Sequence, residues 1–135
     1  MGLLIYKVKN FLYEDLSYKI RGACFSAYNN LGGGHKEVVY QKALAIELEK
    51  CEIEFEREKT LDIFYENKKI GVYRPDFIVA GKIIIEIKAV PFIPRDYEVQ
   101  LLNYLKSTNL PLGFLINFGS KKVEIRRRVN FNNQC

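Results

Sequence analysis

The sequence predicts an α/β fold of the α+β kind, in which helices pack against a sheet. Three observations support this class. The first fifty residues carry two apolar stripes with helical spacing, and residues 53–90 turn to a period of two. A segment between prolines, predicted as a helix, then separates that region from two final strands. The predicted order of elements is α-α-β-β-β-α-β-β.

Two N-terminal helices follow from the spacing of their apolar residues. The first stripe has steps of three and four, stops at Gly32-Gly33-Gly34, and consists of Leu16, Ile20, Ala23, Ala27 and Leu31. The second consists of Tyr40, Leu44, Leu48 and Cys51. Glu37 lies three residues before Tyr40, so we expect it on the apolar face of the second helix.

Strands are predicted where apolar residues alternate along the chain. The first such positions are Ile53, Phe55, Leu61, Ile63 and Tyr65, and Asn67 marks a turn after them. Residues 70–79 and 82–90 are predicted as two further strands that form a hairpin at Gly81.

The C-terminal part predicts one more helix and two strands. Pro91 and Pro94 end the strand region, and a helix is expected over residues 95–108. Asn109-Leu110-Pro111 ends that helix, and residues 112–118 form a buried strand. After a turn at Gly119-Ser120, the last strand alternates apolar with charged residues, namely Val123, Ile125 and Val129 with Glu124, Arg126 and Arg128.

The composition is that of one folded domain over residues 1–135. Hydrophobic residues make up 48% of the chain and charged residues 27%, which excludes a disordered or fibrous protein. The net charge is +5, and residues 119–135 hold five Lys or Arg against one Glu. This charge favours a polyanionic partner, although two solvated faces explain it equally well.

Cysteine usage and hydropathy predict a cytoplasmic protein with no membrane partner. Cys24, Cys51 and Cys135 are odd in number and form no C-x-x-C pair, which argues against a disulfide framework and a zinc knuckle. No stretch approaches the ~20 apolar residues of a membrane span. The apolar run at residues 3–6 is too short for a secretory signal.

Chemically active side chains concentrate in Arg74-Pro75-Asp76 and Glu86-Ile87-Lys88. Glu86 and Lys88 are two residues apart in an apolar strand, so they project from one face. Buried charges are costly unless they pair with each other or bind a metal or substrate. An exposed strand face with an ordinary ion pair explains the pattern equally well, and both interpretations stay open.

Whether Asp76 joins Glu86 depends on the hairpin between them. A two-residue loop at Ala80-Gly81 would place Asp76 opposite Ile85, pointing away from Glu86. A three-residue loop that ends or centres on Gly81 would place Asp76 on the face of Glu86. Gly81 suits the longer loop, because glycine readily adopts the left-handed conformation that it needs.

Convergence of Asp76, Glu86 and Glu37 would create a site made only of oxygen ligands. Two carboxylates ~4 Å apart repel by about 4 kcal/mol at an effective dielectric of ~20, so the trio would take up a proton or a cation. Because His35 is the only histidine, we expect Mg²⁺ or Mn²⁺ and no zinc. Lys88 beside such an ion would suit phosphodiester hydrolysis.

These motifs resemble those of the PD-(D/E)XK nuclease superfamily and, within it, the GxxExxY protein family of the RecB-like branch. The matching elements run from about residue 31 to 127 and are Gly34-x-x-Glu37-x-x-Tyr40, Pro75-Asp76, Glu86-x-Lys88 and Gln100-x-x-x-Tyr104. The resemblance implies a restriction-endonuclease-like core, α-β-β-β-α-β, with a mixed central sheet flanked by helices. This chain adds an N-terminal helix and a C-terminal strand.

The resemblance also implies roles for individual residues. Asp76 and Glu86 would bind the divalent ion with the Ile87 backbone carbonyl, Glu37 would be an auxiliary acid and metal ligand, and Lys88 would assist the attacking water. The rim of the site would consist of Gln100, Tyr104, Arg74 and Tyr40, and for the first two ordinary helix packing is the alternative. An iron-sulfur cluster is not expected, because that variant needs four cysteines and this chain has three.

Two further features could contact nucleic acid. Arg126 and Arg128 share one face of the last strand and could bind phosphates, or they could simply protect a solvated edge strand with charge. Most aromatic rings fall on apolar stripes, and Tyr73 is the one that we single out for base stacking.

Three functions are compatible with these residues. We favour a metal-dependent nuclease acting on nucleic acid, with DNA as the expected partner. The alternatives are a catalytically inactive nucleic-acid-binding module and a subunit of a larger nucleic-acid-processing assembly, and a homodimer is suggested by analogy alone. Metal-dependent turnover and the salt dependence of binding distinguish the first two.

Overall fold

The computed structural model describes residues 13–131, so the apolar run at residues 3–6 and Cys135 lie outside the described residues. The helices are α1 (Glu14–Leu31), α2 (Glu37–Lys50) and α3 (Arg95–Thr108). The strands are β1 (Phe55–Arg57), β2 (Leu61–Tyr65), β3 (Lys68–Tyr73), β4 (Phe77–Val79), β5 (Ile83–Lys88), β6 (Leu112–Asn117) and β7 (Glu124–Val129). Over this range, no helix is long and apolar enough to cross a membrane.

Five of these strands form one mixed sheet in the order β1-β4-β5-β6-β7. Strands β5 and β6 are parallel, because α3 carries the chain back to the starting edge between them, and the other neighbours are antiparallel. This confirms the α+β class and the mixed central sheet flanked by helices that are expected for a restriction-endonuclease-like core.

The helices cover both faces of the sheet. One core cluster joins α1 and α2 to the side chains of Ile83, Ile85 and Ile87, and a second joins α3 to Ile84 and Leu115. Because side chains alternate along a strand, the odd-numbered residues of β5 face α1 and α2, and the even-numbered ones face α3. Glu86 and Lys88 therefore lie on the α3 side.

The prediction of a single strand over residues 70–79 is wrong. The chain leaves β3 at Tyr73 and enters β4 at Phe77, and the two strands belong to different sheets. Pro75 explains the break, since proline donates no backbone hydrogen bond and restricts the residue before it. Strands β2 and β3 instead form a separate hairpin that packs against α3 through Leu61 and Ile63.

The C-terminal end of the apolar stripe predicted for α2 also needs correction. Tyr40, Leu44 and Leu48 are fully buried as expected, and Glu37 is half-buried at the first helical residue. Cys51, however, is exposed, because α2 ends at Lys50 and the chain turns there.

The hairpin between β4 and β5 has the three-residue loop. Val79 pairs with Ile83, and the backbone N–H of Lys82 donates to the Val79 carbonyl at 3.0 Å. Gly81 has φ +65° as expected, but Ala80 also adopts a left-handed conformation, with φ +53°. Continued by one pair beyond Phe77 and Ile85, this register places Asp76 opposite Glu86.

Candidate active site

Glu86 and Lys88 line a narrow cleft between the sheet and α3. The cleft has a volume of about 20 Å³, and Tyr97, Gln100 and Tyr104 of α3 form its other wall. A buried water needs roughly 10–15 Å³, so the cleft has room for about one water. The face of β5 that packs against α3 is thus apolar at Ile84 and polar at Glu86 and Lys88, toward the end of the strand.

Asp76 is tied to the backbone of the neighbouring strand. The backbone N–H of Ile87 donates to Asp76 Oδ2 at 2.7 Å. Burial raises the pKa of Asp76, while this hydrogen bond and the charge of Lys88 lower it in part. The carboxylate is therefore held against β5 at the residue between Glu86 and Lys88.

Among the carboxyl groups of the site, Glu86 has the most strongly raised pKa. The Tyr73 hydroxyl donates to Glu86 Oε1 at 2.5 Å. Burial, and after it the negative charge of Asp76, raise the pKa of Glu86 to about 7, against the lowering effects of the Tyr73 hydrogen bond and of Lys88. Near neutral pH, Glu86 is therefore poised between its protonated and ionised forms.

Glu37 approaches the same charges from the opposite helix layer. It stands at the first residue of α2, where Gln41 Nε2 donates to its Oε1 at 3.5 Å. Burial raises the pKa of Glu37, the charge of Lys88 lowers it, and the charge of Asp76 raises it. Glu37 is therefore in electrostatic contact with Asp76 and Lys88.

Lys88 is the cation of this group. Its Nζ lies 4.9 Å from the centre of the Tyr97 ring, a cation–π arrangement that orients the ammonium. Its charge lowers the pKa of Glu37, Asp76 and Glu86. One ammonium thus favours the ionised forms of three carboxyl groups.

The two α3 residues predicted at the rim have different surroundings. Gln100 is an exposed residue that borders the cleft. Tyr104 also borders it, and its ring stacks on Tyr73 with the centres 3.7 Å apart and the planes within 5°. Helix packing therefore accounts for the ring of Tyr104, and Tyr73, only 7% exposed, is not available for base stacking.

The structure does not bring Tyr40 or Arg74 to the cleft. Tyr40 is 0% exposed, donates to the Gly32 carbonyl at 2.7 Å and stacks on Phe118. A ring with no exposed surface cannot contact nucleic acid, so Tyr40 anchors the glycine loop instead. Arg74 is exposed, and its Nε donates to Thr60 Oγ1 at 3.4 Å.

Arg126 and Arg128 share one face of β7, an edge strand, as predicted. Arg126 lies 3.2 Å from Glu124 and 3.9 Å from Glu98, and Arg128 pairs with Glu98. Both guanidinium groups are already compensated by carboxylates. This arrangement favours the structural interpretation of the two arginines.

Three residues around the site escaped the sequence analysis in whole or in part. Tyr97 lies three and seven residues before Gln100 and Tyr104, a helical spacing that could have revealed it. Gln41 lies one helical turn after Glu37, which is a comparable signal. Tyr73 was visible as a ring next to the acidic motif, but no local pattern indicates its contact with Glu86.

The oxygen ligands of the site suit a hard cation, but fewer of them lie together than expected. Within residues 13–131, no group of three or more His, Cys, Asp or Glu side chains could hold a metal ion as arranged. The three-carboxylate cage expected from Glu37, Asp76 and Glu86 is thus absent from this part of the chain. Asp76 and Glu86 still offer carboxylate oxygens, which Mg²⁺ and Mn²⁺ prefer, usually with one or two protein carboxylates and several waters.

Comparison with known proteins identifies one family. A family model described as the PD-(D/E)XK nuclease superfamily matches residues 14–128. No curated protein and no solved structure gave a significant match.

Proposed function

The chain belongs to the PD-(D/E)XK nuclease superfamily, and from this premise we propose that it is a divalent-metal-dependent nuclease that hydrolyses phosphodiester bonds of nucleic acid. The observation that carries the proposal is the register of the β4–β5 hairpin. Continued by one pair beyond Phe77 and Ile85, this register brings Asp76 opposite Glu86, and Lys88 lies two residues further along the same strand face. Asp, Glu and Lys side chains together suit metal-assisted hydrolysis of a phosphodiester.

Asp76 and Glu86 are the proposed ligands of Mg²⁺ or Mn²⁺. The Ile87 carbonyl and Glu37 are further candidates, and Glu37 would reach the ion through a water or by a shift of its side chain. When bound, the ion would polarise a phosphoryl oxygen and lower the pKa of a water molecule. Four candidate ligands are compatible with one ion or with two.

Lys88 has the proposed role of orienting the reactants. Its ammonium, held over the Tyr97 ring, would donate a hydrogen bond to the attacking water or to a phosphate oxygen. It would also offset the negative charge that develops in the transition state. Binding of a cation requires the ionised form of Glu86, so Glu86 would give up the proton that burial favours.

The resemblance to the GxxExxY proteins supports a proposal for substrate contacts. Gln100 at the mouth of the cleft and the exposed Arg74 are the proposed contacts to the nucleic-acid backbone, and DNA is the proposed substrate. Arg126 and Arg128 would join them only by exchanging their carboxylate partners for phosphates. We further propose that residues 1–135 form one cytoplasmic domain, which acts as a homodimer or within a larger assembly.

Cleavage of single-stranded and duplex DNA, with Mg²⁺, with Mn²⁺ and with a chelator, tests the proposal. We expect turnover with either metal, none with the chelator, and losses of about 100-fold or more for Asp76→Ala and Lys88→Ala. Lys19→Ala is the matched control, because Lys19 is an exposed lysine of α1 that pairs with Asp15, and neither residue lines the cleft. Turnover that survives Asp76→Ala would refute the proposed site.

A catalytically inactive binding module is the second outcome that this experiment detects. The absence of a group of three metal-ligating side chains within residues 13–131 is the observation that favours it. Such a module would bind DNA with an affinity that falls steeply as salt rises, and no metal would produce cleavage.

A further inference from the structure

Tyr73 is a buried tyrosine that reaches the site from outside the main sheet. It is the last residue of β3, in the separate β2–β3 hairpin, and is 7% exposed. Its hydroxyl donates to Glu86 Oε1 at 2.5 Å, a hydrogen bond to a carboxylate and therefore one of the stronger kinds.

The Tyr73 ring is itself held in place by α3. It stacks on Tyr104 with ring centres 3.7 Å apart, and it belongs to the same core cluster as Leu101 and Leu105. A stacked, buried ring has few alternative rotamers, so the position of its hydroxyl is set by two elements at once. The phenol can therefore direct the carboxylate that it binds.

We propose that Tyr73 is a positioning residue that fixes the orientation of the Glu86 carboxylate for cation binding, with Tyr104 as the support of its ring. This inference rests on the proposed function, because it assigns a role in the same metal site. Residues that hydrogen-bond a metal ligand orient it, and their loss typically weakens metal affinity by about 10–100-fold. Tyr104 then acts on the site through Tyr73 and not by its own contact with metal or substrate.

A purely structural role would have a different signature. If the Tyr73 hydroxyl only satisfied a half-buried carboxylate, its removal would change the stability of the protein and leave the ion affinity as it was. Metal affinity and stability must therefore be measured separately.

The first test is Mn²⁺ binding by calorimetry to the full chain, as wild type and as Tyr73→Phe. We expect the variant to bind Mn²⁺ about tenfold more weakly, since the ring and its stack remain and only the hydroxyl is lost. Tyr104→Leu should weaken binding as well, by removing the support of the ring.

Tyr28→Phe is the matched control. Its hydroxyl contacts the carbonyls of Ser120 and Lys121 at 3.1 and 3.0 Å, away from the cleft. We expect this variant to unfold at a lower temperature and to keep the wild-type Mn²⁺ affinity. Equal affinities of wild type and Tyr73→Phe would overturn the inference and leave the proposed nuclease function standing.

A second test needs no metal. Thermal unfolding of the metal-free protein is compared for Tyr73→Phe, Glu86→Gln and the double variant. We expect the two shifts in melting temperature to be non-additive, because both substitutions alter the same hydrogen bond. Additive shifts would overturn the inference, and a wild-type protein that binds no Mn²⁺ would overturn the proposed function together with the inference.

Discussion

Two groups of charged side chains lie on the α3 side of the sheet, and their charges are balanced differently. The acidic cluster consists of Asp76, Glu86 and Lys88, with Glu37 in electrostatic contact. The paired cluster, on β7 and α3, consists of Glu98, Glu124, Arg126 and Arg128. In the paired cluster two acids face two bases, whereas in the acidic cluster three acids face one lysine.

This difference separates a structural cluster from a functional candidate. Burial raises the pKa of Asp76, Glu86 and Glu37, so the fold holds these carboxylates where their ionised forms are disfavoured. Uncompensated charge of this kind costs stability unless a cation or substrate supplies the missing partner. The paired cluster needs no such partner.

The strongest contrast between the clusters is expected in catalysis. Glu86→Gln removes a proposed metal ligand and should lower kcat/KM on DNA by about 100-fold or more. Glu98→Gln makes the same chemical change in the paired cluster and should leave kcat unchanged. Initial rates of DNA cleavage with saturating Mg²⁺ measure both. Equal losses in the two variants would contradict the distinction.

Asn117 of β6 links the two clusters. In the register of the sheet it lies next to Lys88 of β5 on one side and next to Glu124 of β7 on the other. Its side chain is 0% exposed, and it hydrogen-bonds the N–H and the carbonyl of Val90 and the Glu124 carboxylate. Asn117→Ala would leave these partners unsatisfied and should lower the free energy of unfolding by about 2 kcal/mol.

Chemical denaturation measures the effect of Asn117→Ala. Asn103→Ala, at an exposed position of α3, is the control and should change stability little. A similarly small effect at Asn117 would show that the two clusters are held independently of this residue.

Replacing a glutamate by glutamine should change the free energy of unfolding in opposite directions in the two clusters. Glu98→Gln weakens ion pairs with Arg126 and Arg128 and should cost about 1 kcal/mol at most. Glu86→Gln removes an ionised group that burial disfavours and should stabilise the metal-free protein by about 1 kcal/mol at pH 8.

The pH dependence of the free energy of unfolding tests whether the buried Glu86 carboxylate destabilises the folded protein when it is ionised. Its pKa of about 7 in the folded protein exceeds the ordinary value of 4.5, so the folded state holds a proton that the unfolded state releases. The resulting stability is complete below about pH 4.5 and is lost as the pH rises through 7. Denaturation between pH 5 and 8 should therefore show a flatter profile for Glu86→Gln, and parallel profiles would contradict the assignment.

The smallest effect concerns the turn that sets Asp76 opposite Glu86. Ala80 has φ +53°, a conformation that costs an alanine roughly 1 kcal/mol more than a glycine. Ala80→Gly should stabilise the protein by about 0.5 kcal/mol, since the extra freedom of the unfolded glycine offsets part of that gain. Cleavage should be unchanged, because the strands still hold the register. A loss of cleavage would show that the turn residue itself positions Asp76.

Local patterns predicted much of the fold. The apolar stripes located α1 and α2, because burial on one face imposes that spacing. Prolines on both sides delimited α3, and alternating or continuous apolar residues located the strands of the main sheet. The two-residue spacing of Glu86 and Lys88 also placed them on one face of one strand. The break between β3 and β4 was missed, although Pro75 was a visible signal for it.

Other features depend on contacts between residues that are distant in the sequence. The sequence allowed a two-residue or a three-residue loop in the β4–β5 hairpin, and only the register of β4 on β5 shows that the loop has three residues. The Tyr73 hydrogen bond to Glu86 and its stack on Tyr104 join β3, β5 and α3, which no spacing along one element can reveal.

The sequence by itself therefore determined most of the elements and the residue types that each strand face presents, since these follow from local periodicity. Only the tertiary structure decided which charges are compensated. Arg126 and Arg128 meet carboxylates brought by α3 and by β7 itself, whereas the charge of Asp76 disfavours the ionised form of Glu86. The reason is physical: the free energy of a buried charge depends on the partners that folding brings near it, and the sequence does not contain those distances.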